Sequence, residues 1–193
     1  MVRLYEYKDY EEYKAAQVKA NKKKLCTQWV KEVEIKAAAE VLLQKRPDME
    51  FGICHGTRQG FEQKWFAQYL GIEVIGTEIS GTATKFPNTI EWDFHDVKPE
   101  WEGNVDFIYS NALDHSYDPK MCLTQWMKCL KPGGYCILHH ARGHHTSCAR
   151  DPFGATREEY KTMIEELGFV LEDTTAGGEG EGSTKRLLWV QNS

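Results

Sequence analysis

The sequence predicts an α/β fold: a doubly wound seven-stranded sheet, mostly parallel with an antiparallel last strand, preceded by an N-terminal helical addition. Three observations predict it. First, residues 49–62 (MEFGICHGTRQGFE) run from an apolar stretch into a turn holding Gly56 and Gly60, and an amphipathic helix begins at once. Second, another apolar stretch (VIGTEIS, 74–80) follows and ends in an acid, Glu78. Third, the chain closes on FVLEDTT and KRLLWVQ, joined by AGGEGEGSTK. That link is too short for a crossover helix, so the two strands run antiparallel. Strand, glycine turn, helix, strand, acid is the layout of a nucleotide-cofactor site in such a sheet. The glycines let backbone approach a ligand, the helix start aims free N–H groups at it, and the acid can accept from both ribose hydroxyls.

The elements follow in order. Asp9, with Glu12 three residues on, starts a helix over 9–24 with Tyr10, Tyr13, Gln17 and Ala20 on one face. Thr27 is the expected cap of a second helix over 27–45, with Val30, Val33, Ala37 and Val41 inward and Pro47 as its stop. These helices precede the first sheet strand. The expected division is therefore a helical cap over 1–46 and a sheet domain over 47–193. The cap either covers the sheet or forms a lid using Tyr13, Asn21, Lys24 or Trp29.

The first strand is Phe51–Cys54, and the helix after its turn is Phe61–Leu70. Phe61, Trp65, Phe66 and Tyr69 make that helix apolar on one side, and Gly71 closes it. Val74–Thr77 is the second strand. SGTATKFPN is too brief for a helix, so a loop or single turn leads to the third strand, Thr89–Trp92. The fourth is Val105–Asn111. Asp118 and Pro119 then start a helix to Leu130 with Cys122, Leu123, Trp126 and Met127 inward. Pro132-Gly133-Gly134 stops it, and YCILHH is the fifth strand. The loop ARGHHTSCARDPFGA leads to a helix capped by Thr156 and Glu159, facing inward with Tyr160, Met163, Ile164 and Leu167.

Composition narrows the function classes. With 193 residues, 41% hydrophobic and 27% charged, the chain suits one globular domain. No apolar run approaches the roughly 18 residues that a membrane span needs. Charges interrupt the N-terminus where a signal peptide needs an apolar core. Six cysteines are scattered without a C-x-x-C pair, which suits reduced thiols and a cytoplasmic setting. Residues 1–46 carry 11 Lys/Arg against 7 Asp/Glu, whereas the whole chain is at −5. An acidic body argues against nucleic acid as a partner, and KANKKK (19–24) reads as a solvated helix face. Nothing in the sequence signals an oligomeric state.

With this order in view, residues 48–191 resemble the class I (Rossmann-like) S-adenosylmethionine-dependent methyltransferases of small-molecule type. Gly56-Thr57-Arg58-Gln59-Gly60 is similar to the methionine-binding turn, with fewer glycines than the family's usual G-x-G-x-G. Glu78, followed by Ile79, matches the ribose-binding acid. Asp93-Phe94 resembles the segment that meets the adenine amino group and flanks the ring. Asn111 through His115 (NALDH) resembles the end of strand four, and LKPGG before strand five is among the more specific matches. The resemblance implies S-adenosyl-L-methionine as cofactor, a small-molecule methyl acceptor, and cofactor contacts from Gly56, Thr57, Arg58, Gly60, Glu78, Ile79, Asp93, Phe94 and Asn111. It implies for Arg58 a direct contact to the methionine carboxylate, standing in for the missing glycines. Binding without turnover, and protein or RNA as acceptor, are the alternative readings.

Methyl transfer from a sulfonium is an in-line displacement, so positioning matters more than a general base. Candidate catalytic groups cluster at the carboxyl ends of strands four and five. Asp114, His115 and Tyr117 lie on one loop, and His139, His140, His144 and His145 on the next. Asp114, His115 and His140 are the expected acceptor-side residues. Only one of His139 and His140 can face a site, because strand side chains alternate. His140 and His144 have a permissible ligand spacing, but no second pair accompanies them, so no metal is expected.

Overall fold

The computed structural model describes residues 2–176 and 185–192. In chain order the elements are β1 (Arg3–Leu4), α1 (Tyr10–Lys23), α2 (Glu32–Lys45), β2 (Phe51–His55), α3 (Phe61–Leu70), β3 (Glu73–Glu78) and β4 (Thr89–Glu91). Then follow β5 (Val105–Ser110), α4 (Pro119–Cys129), β6 (Leu130–His140), β7 (Phe153–Gly154), α5 (Arg157–Glu166), β8 (Val170–Ala176) and β9 (Arg186–Gln191). Single 3-10 turns occupy Gly81–Lys85, Leu113–His115 and Arg142–His145. The first of these is the short link expected between the second and third sheet strands.

The main sheet has seven strands in the order β4-β3-β2-β5-β6-β9-β8. Neighbours are parallel except where β9 is involved, and β9 runs antiparallel to both β6 and β8. The reversed closing strand is thus as the short final link requires. The glycine-rich link itself (177–184) lies outside the described residues. Strand order turns back between β2 and β5, so the loops leaving their carboxyl ends run to opposite faces and leave a crevice between them.

Each face of the sheet carries its own core. Ile35, Ala38, Ala39 and Leu42 of α2 and Phe66 of α3 pack with Cys54, Phe107, Ile137 and Trp189 on one face. Leu123, Trp126 and Met127 of α4 and Tyr160, Met163 and Ile164 of α5 pack with Ile53, Ile108, Leu138 and Val190 on the other. Fully burying a side chain such as Leu42 or Phe66 contributes about 1.5–3 kcal/mol. Under the sheet, buried Asp106 accepts from the Glu50 and Phe51 N–H groups at 2.8 and 3.0 Å and from Arg46 and Lys131. Burial pushes its carboxyl up, but those donors outweigh burial and hold it below the usual range.

Helix starts show where local chemistry decides. Asp9 accepts from the Glu12 N–H at 2.9 Å, but the Glu12 carboxylate returns to the Lys8 N–H at 2.6 Å, one residue before the cap. Thr156 and Glu159 form the full reciprocal box at 3.2 and 2.8 Å. The second helix begins at Glu32 and not after Thr27. Val30 is fully buried, the Thr27 carbonyl accepts from the Arg58 guanidinium at 2.8 Å, and the Glu34 carboxylate caps the Lys31 N–H at 2.9 Å. A helix through 27–31 would spend that carbonyl on its own ladder.

The inner side of α3 also departs from the aromatic stripe expected of it. Glu62, Gln63 and Phe66 are buried, while Phe61 stacks on Trp65 at 5.2 Å along a half-buried flank. Gln63 fits because Gly60 and Gly76 leave it room, and it donates to Thr89 Oγ1 at 2.7 Å. A second small sheet was not foreseen. β1 pairs antiparallel with β7, Arg3 opposite Gly154 and Leu4 opposite Phe153. Among the described residues no helix is long and apolar enough to cross a membrane.

Candidate functional site

The crevice lies at the carboxyl ends of β2, β3, β4 and β5, with α1 as its roof. Its floor and walls are Gly56, Arg58, Glu78, Ile79, Asp93, Phe94, Ala112 and His115. The roof contributes Tyr13, Gln17, Ala20, Asn21 and Lys24, one face of α1 at helical spacing.

At the centre sits Glu78. Its Oε2 accepts from the Arg58 N–H at 3.1 Å and its Oε1 from the Ser80 N–H at 3.1 Å. Burial pushes its carboxyl up, partly opposed by those two backbone donors. Each oxygen therefore keeps a lone pair for a donor arriving from the crevice. Gly56 has φ 72°, and a Cβ there would stand 2.5 Å from that of Ala112. The next residue, Thr57, has a buried Oγ1 with no hydrogen-bond partner. A polar ligand entering over the turn could satisfy it.

Asp93 forms the opposite end. His95 Nδ1 donates to Asp93 Oδ1 at 2.6 Å, and the Tyr10 hydroxyl donates to Oδ2 at 2.8 Å. Burial pushes this carboxyl up too, but the His95 and Tyr10 donors outweigh it and hold it low. His95 Nε2 lies 2.7 Å from Ser116 Oγ, and its ring stacks on Tyr117 at 4.2 Å. Residue patterns gave no sign of His95. Only the fold brings the loops after β4 and β5 together around it.

Of the residues expected to contact a cofactor, Gly56, Arg58, Glu78, Ile79, Asp93 and Phe94 meet in this crevice. Thr57, Gly60 and Asn111 adjoin it without lining it. Gly60 caps α3 with φ 75° above Gln63. The Arg58 side chain reaches Thr27, tying the turn to the segment before α2.

The acceptor-side residues divide. His115 lines the crevice, with Nδ1 2.8 Å from the Arg150 carbonyl and 3.1 Å from Gln17 Oε1. Asp114 does not line it, and its Oδ2 lies 3.7 Å from His144 Nε2. His140 does not line the crevice. Its Nε2 donates to the Ala155 carbonyl at 3.0 Å, its ring meets Tyr160, and burial lowers its pKa. Strand alternation turns His139 the opposite way, to Tyr109 Oη at 2.8 Å. Trp29, one of the expected lid residues, lies over His139 and His144, while Tyr13, Asn21 and Lys24 are in the roof.

Residues 53–138 match the family described as methyltransferase domain. No curated protein matches the chain in sequence. Among solved structures, it is similar to the Burkholderia thailandensis 1,6-didemethyltoxoflavin N1-methyltransferase, solved with 1,6-didemethyltoxoflavin and S-adenosylhomocysteine. The TM-score is 0.74 at 13% identity, covering 97% of this chain and 91% of that one. The magnesium protoporphyrin IX methyltransferase of Synechocystis, solved with S-adenosylmethionine, gives 0.65 at 11% identity over 97% and 100%. A methyltransferase from Aquifex aeolicus gives 0.60 at 13% over 86% and 100%. The fold is the class I methyltransferase fold.

Proposed function

We propose that this chain, a class I methyltransferase in fold and over residues 53–138 in sequence, transfers a methyl group from S-adenosylmethionine to a small molecule. The observation that carries the reading is Glu78: a buried carboxylate held by two backbone N–H groups in the lining of a crevice that it shares with Gly56 and Asp93. The residues fit an adenosyl group. Glu78 takes the ribose hydroxyls, Asp93 the adenine amino group, and Phe94 and Ile79 the ring faces. Gly56, Thr57 and Arg58 surround the methionine end.

Bound there, S-adenosylmethionine supplies a methyl group on a positively charged sulfur. The chain's part is to bind, orient and exclude water. The α1 roof keeps solvent from the adenosyl side, and residues 1–46 act as the cap of the 47–193 domain. His115, at the crevice edge with its proton on Nδ1, is placed to position an acceptor. A small-molecule acceptor is favoured by the roofed crevice, by the net charge of −5, and by relatives that act on small molecules. Six unpaired cysteines suit a cytoplasmic setting.

Calorimetric titration with S-adenosylhomocysteine tests the assignment. Glu78→Ala should weaken binding about tenfold or more, the loss of charge-assisted hydrogen bonds to two hydroxyls. Unchanged affinity in that variant overturns the ribose assignment.

A further inference from the structure

Beside the crevice, the loops leaving β5 and β6 bring three ligand-type side chains to one point. One oxygen of Asp114, one ring nitrogen of His115 and one oxygen of Asp151 all lie within 4.8 Å of one another. Asp114 and His115 sit on the 3-10 turn Leu113–His115. Asp151 is held by a two-way backbone bridge with Cys148, at 2.9 and 3.1 Å. His144 Nε2 stands 3.7 Å from Asp114 Oδ2 on the same side. Three ligands each about 2.0–2.3 Å from one divalent cation stand about 3–4 Å from one another when evenly spaced, so these side chains close in on the ion when it binds.

Proximity of acids alone would carry nothing. The second observation is the state of Asp114. The residue is 7% exposed, and its Oδ1 is buried with no hydrogen-bond donor. An ionised carboxylate oxygen left so is costly unless a cation completes it. His115 offers its Nε2 lone pair while Nδ1, 3.7 Å from Asp151 Oδ1, donates to the Arg150 carbonyl at 2.8 Å. That is the hydrogen-bond pattern usual for metal-binding imidazoles.

We propose that Asp114, His115 and Asp151 bind one divalent cation at the acceptor end of the crevice. Two carboxylates and one imidazole favour a cation of Mn²⁺ type, and three protein ligands leave positions open. His140 is no part of it, since its Nε2 is committed to Ala155. With His115 in the crevice wall, an open position on the cation faces an incoming acceptor and selects one that offers an oxygen ligand. That role rests on the methyl-transfer reading, whereas the cation site does not.

The test uses full-length protein stripped with chelator and titrated with Mn²⁺ alone, reading the loss of the free-ion signal by electron paramagnetic resonance. One Mn²⁺ per chain is expected. Asp114→Asn and Asp151→Asn should each weaken binding about tenfold or more. Asp151→Asn should keep its affinity for S-adenosylhomocysteine, which shows that it is folded. No saturable Mn²⁺ binding, or binding that both variants retain, overturns the proposal. The two titrations fail separately: S-adenosylhomocysteine without Mn²⁺ removes only the cation, and Mn²⁺ without S-adenosylhomocysteine removes only the cofactor reading.

Discussion

The hydroxyl of Tyr10 donates to Asp93 Oδ2 at 2.8 Å, linking the first turn of α1 to the residue that closes the crevice. The roof is thereby fastened at the Asp93 end of the crevice. A hydrogen bond to a carboxylate is worth about 1.5–3 kcal/mol when sheltered and less at an exposed site. Tyr10 is half exposed, so Tyr10→Phe should cost about 1 kcal/mol in urea denaturation. A loss above that range would mean that the ring, and not the hydroxyl, holds the helix.

Glu78 should not tolerate its amide. Each carboxylate oxygen faces a backbone N–H, from Arg58 or Ser80. In Glu78→Gln one of these donors would meet an NH₂ group and remain buried without an acceptor, at about 1–3 kcal/mol. Calorimetry should therefore find S-adenosylhomocysteine affinity in Glu78→Gln nearly as low as in Glu78→Ala.

Gly56→Ala tests the close approach at the turn. With φ at 72° and Ala112 Cβ 2.5 Å from the new atom, the backbone has to move. Left-handed strain alone costs about 1–2 kcal/mol. Chemical denaturation should show at least this loss, and S-adenosylhomocysteine titration should show weakened binding.

Two buried groups give stability opposite pH dependences. Burial lifts the Glu62 carboxyl from 4.5 to about 7, with a smaller opposing hydrogen bond from Gln28. Its folded pKa is raised, so its contribution is full below pH 4.5 and is lost as pH rises to about 7. Glu62→Gln should gain up to about 3 kcal/mol on the native chain at pH 8 and little at pH 4.5. His55 is the reverse. Burial, reinforced by His95, lowers it from 6.5 to about 3, so its contribution is present above pH 6.5 and lost as pH falls toward 3. His55→Gln should therefore lose less stability than the native chain across that acid range. Denaturant midpoints measured at several pH values check both signs.

Most of the site's frame was legible in the sequence because it is local. The turn at Gly56–Gly60, the Phe61–Leu70 helix closed by Gly71, and the Thr156–Glu159 box each depend on residues a few positions apart. Glu78 and Asp93 follow from strand ends. What escaped depends on distant partners. Two-residue strands such as β1 and β7 have no alternation to read, and His95 gains its role only from Ser116 and Tyr117. The start of α2 was set by Arg58, 31 residues after Thr27. His140, expected on the acceptor side, instead commits its Nε2 to the Ala155 carbonyl, a partner 15 residues on.

The pairing of Arg3 with Gly154 has a practical side. Arg3 also donates to the His145 carbonyl and Tyr7 to the Ala149 carbonyl, so the leading residues brace the loop that carries Asp151. Whatever is fused to or trimmed from this leading strand acts first on the loop between β6 and α5. A purification tag placed there would disturb that loop, so a tag at the other terminus is the safer handle for ligand titrations.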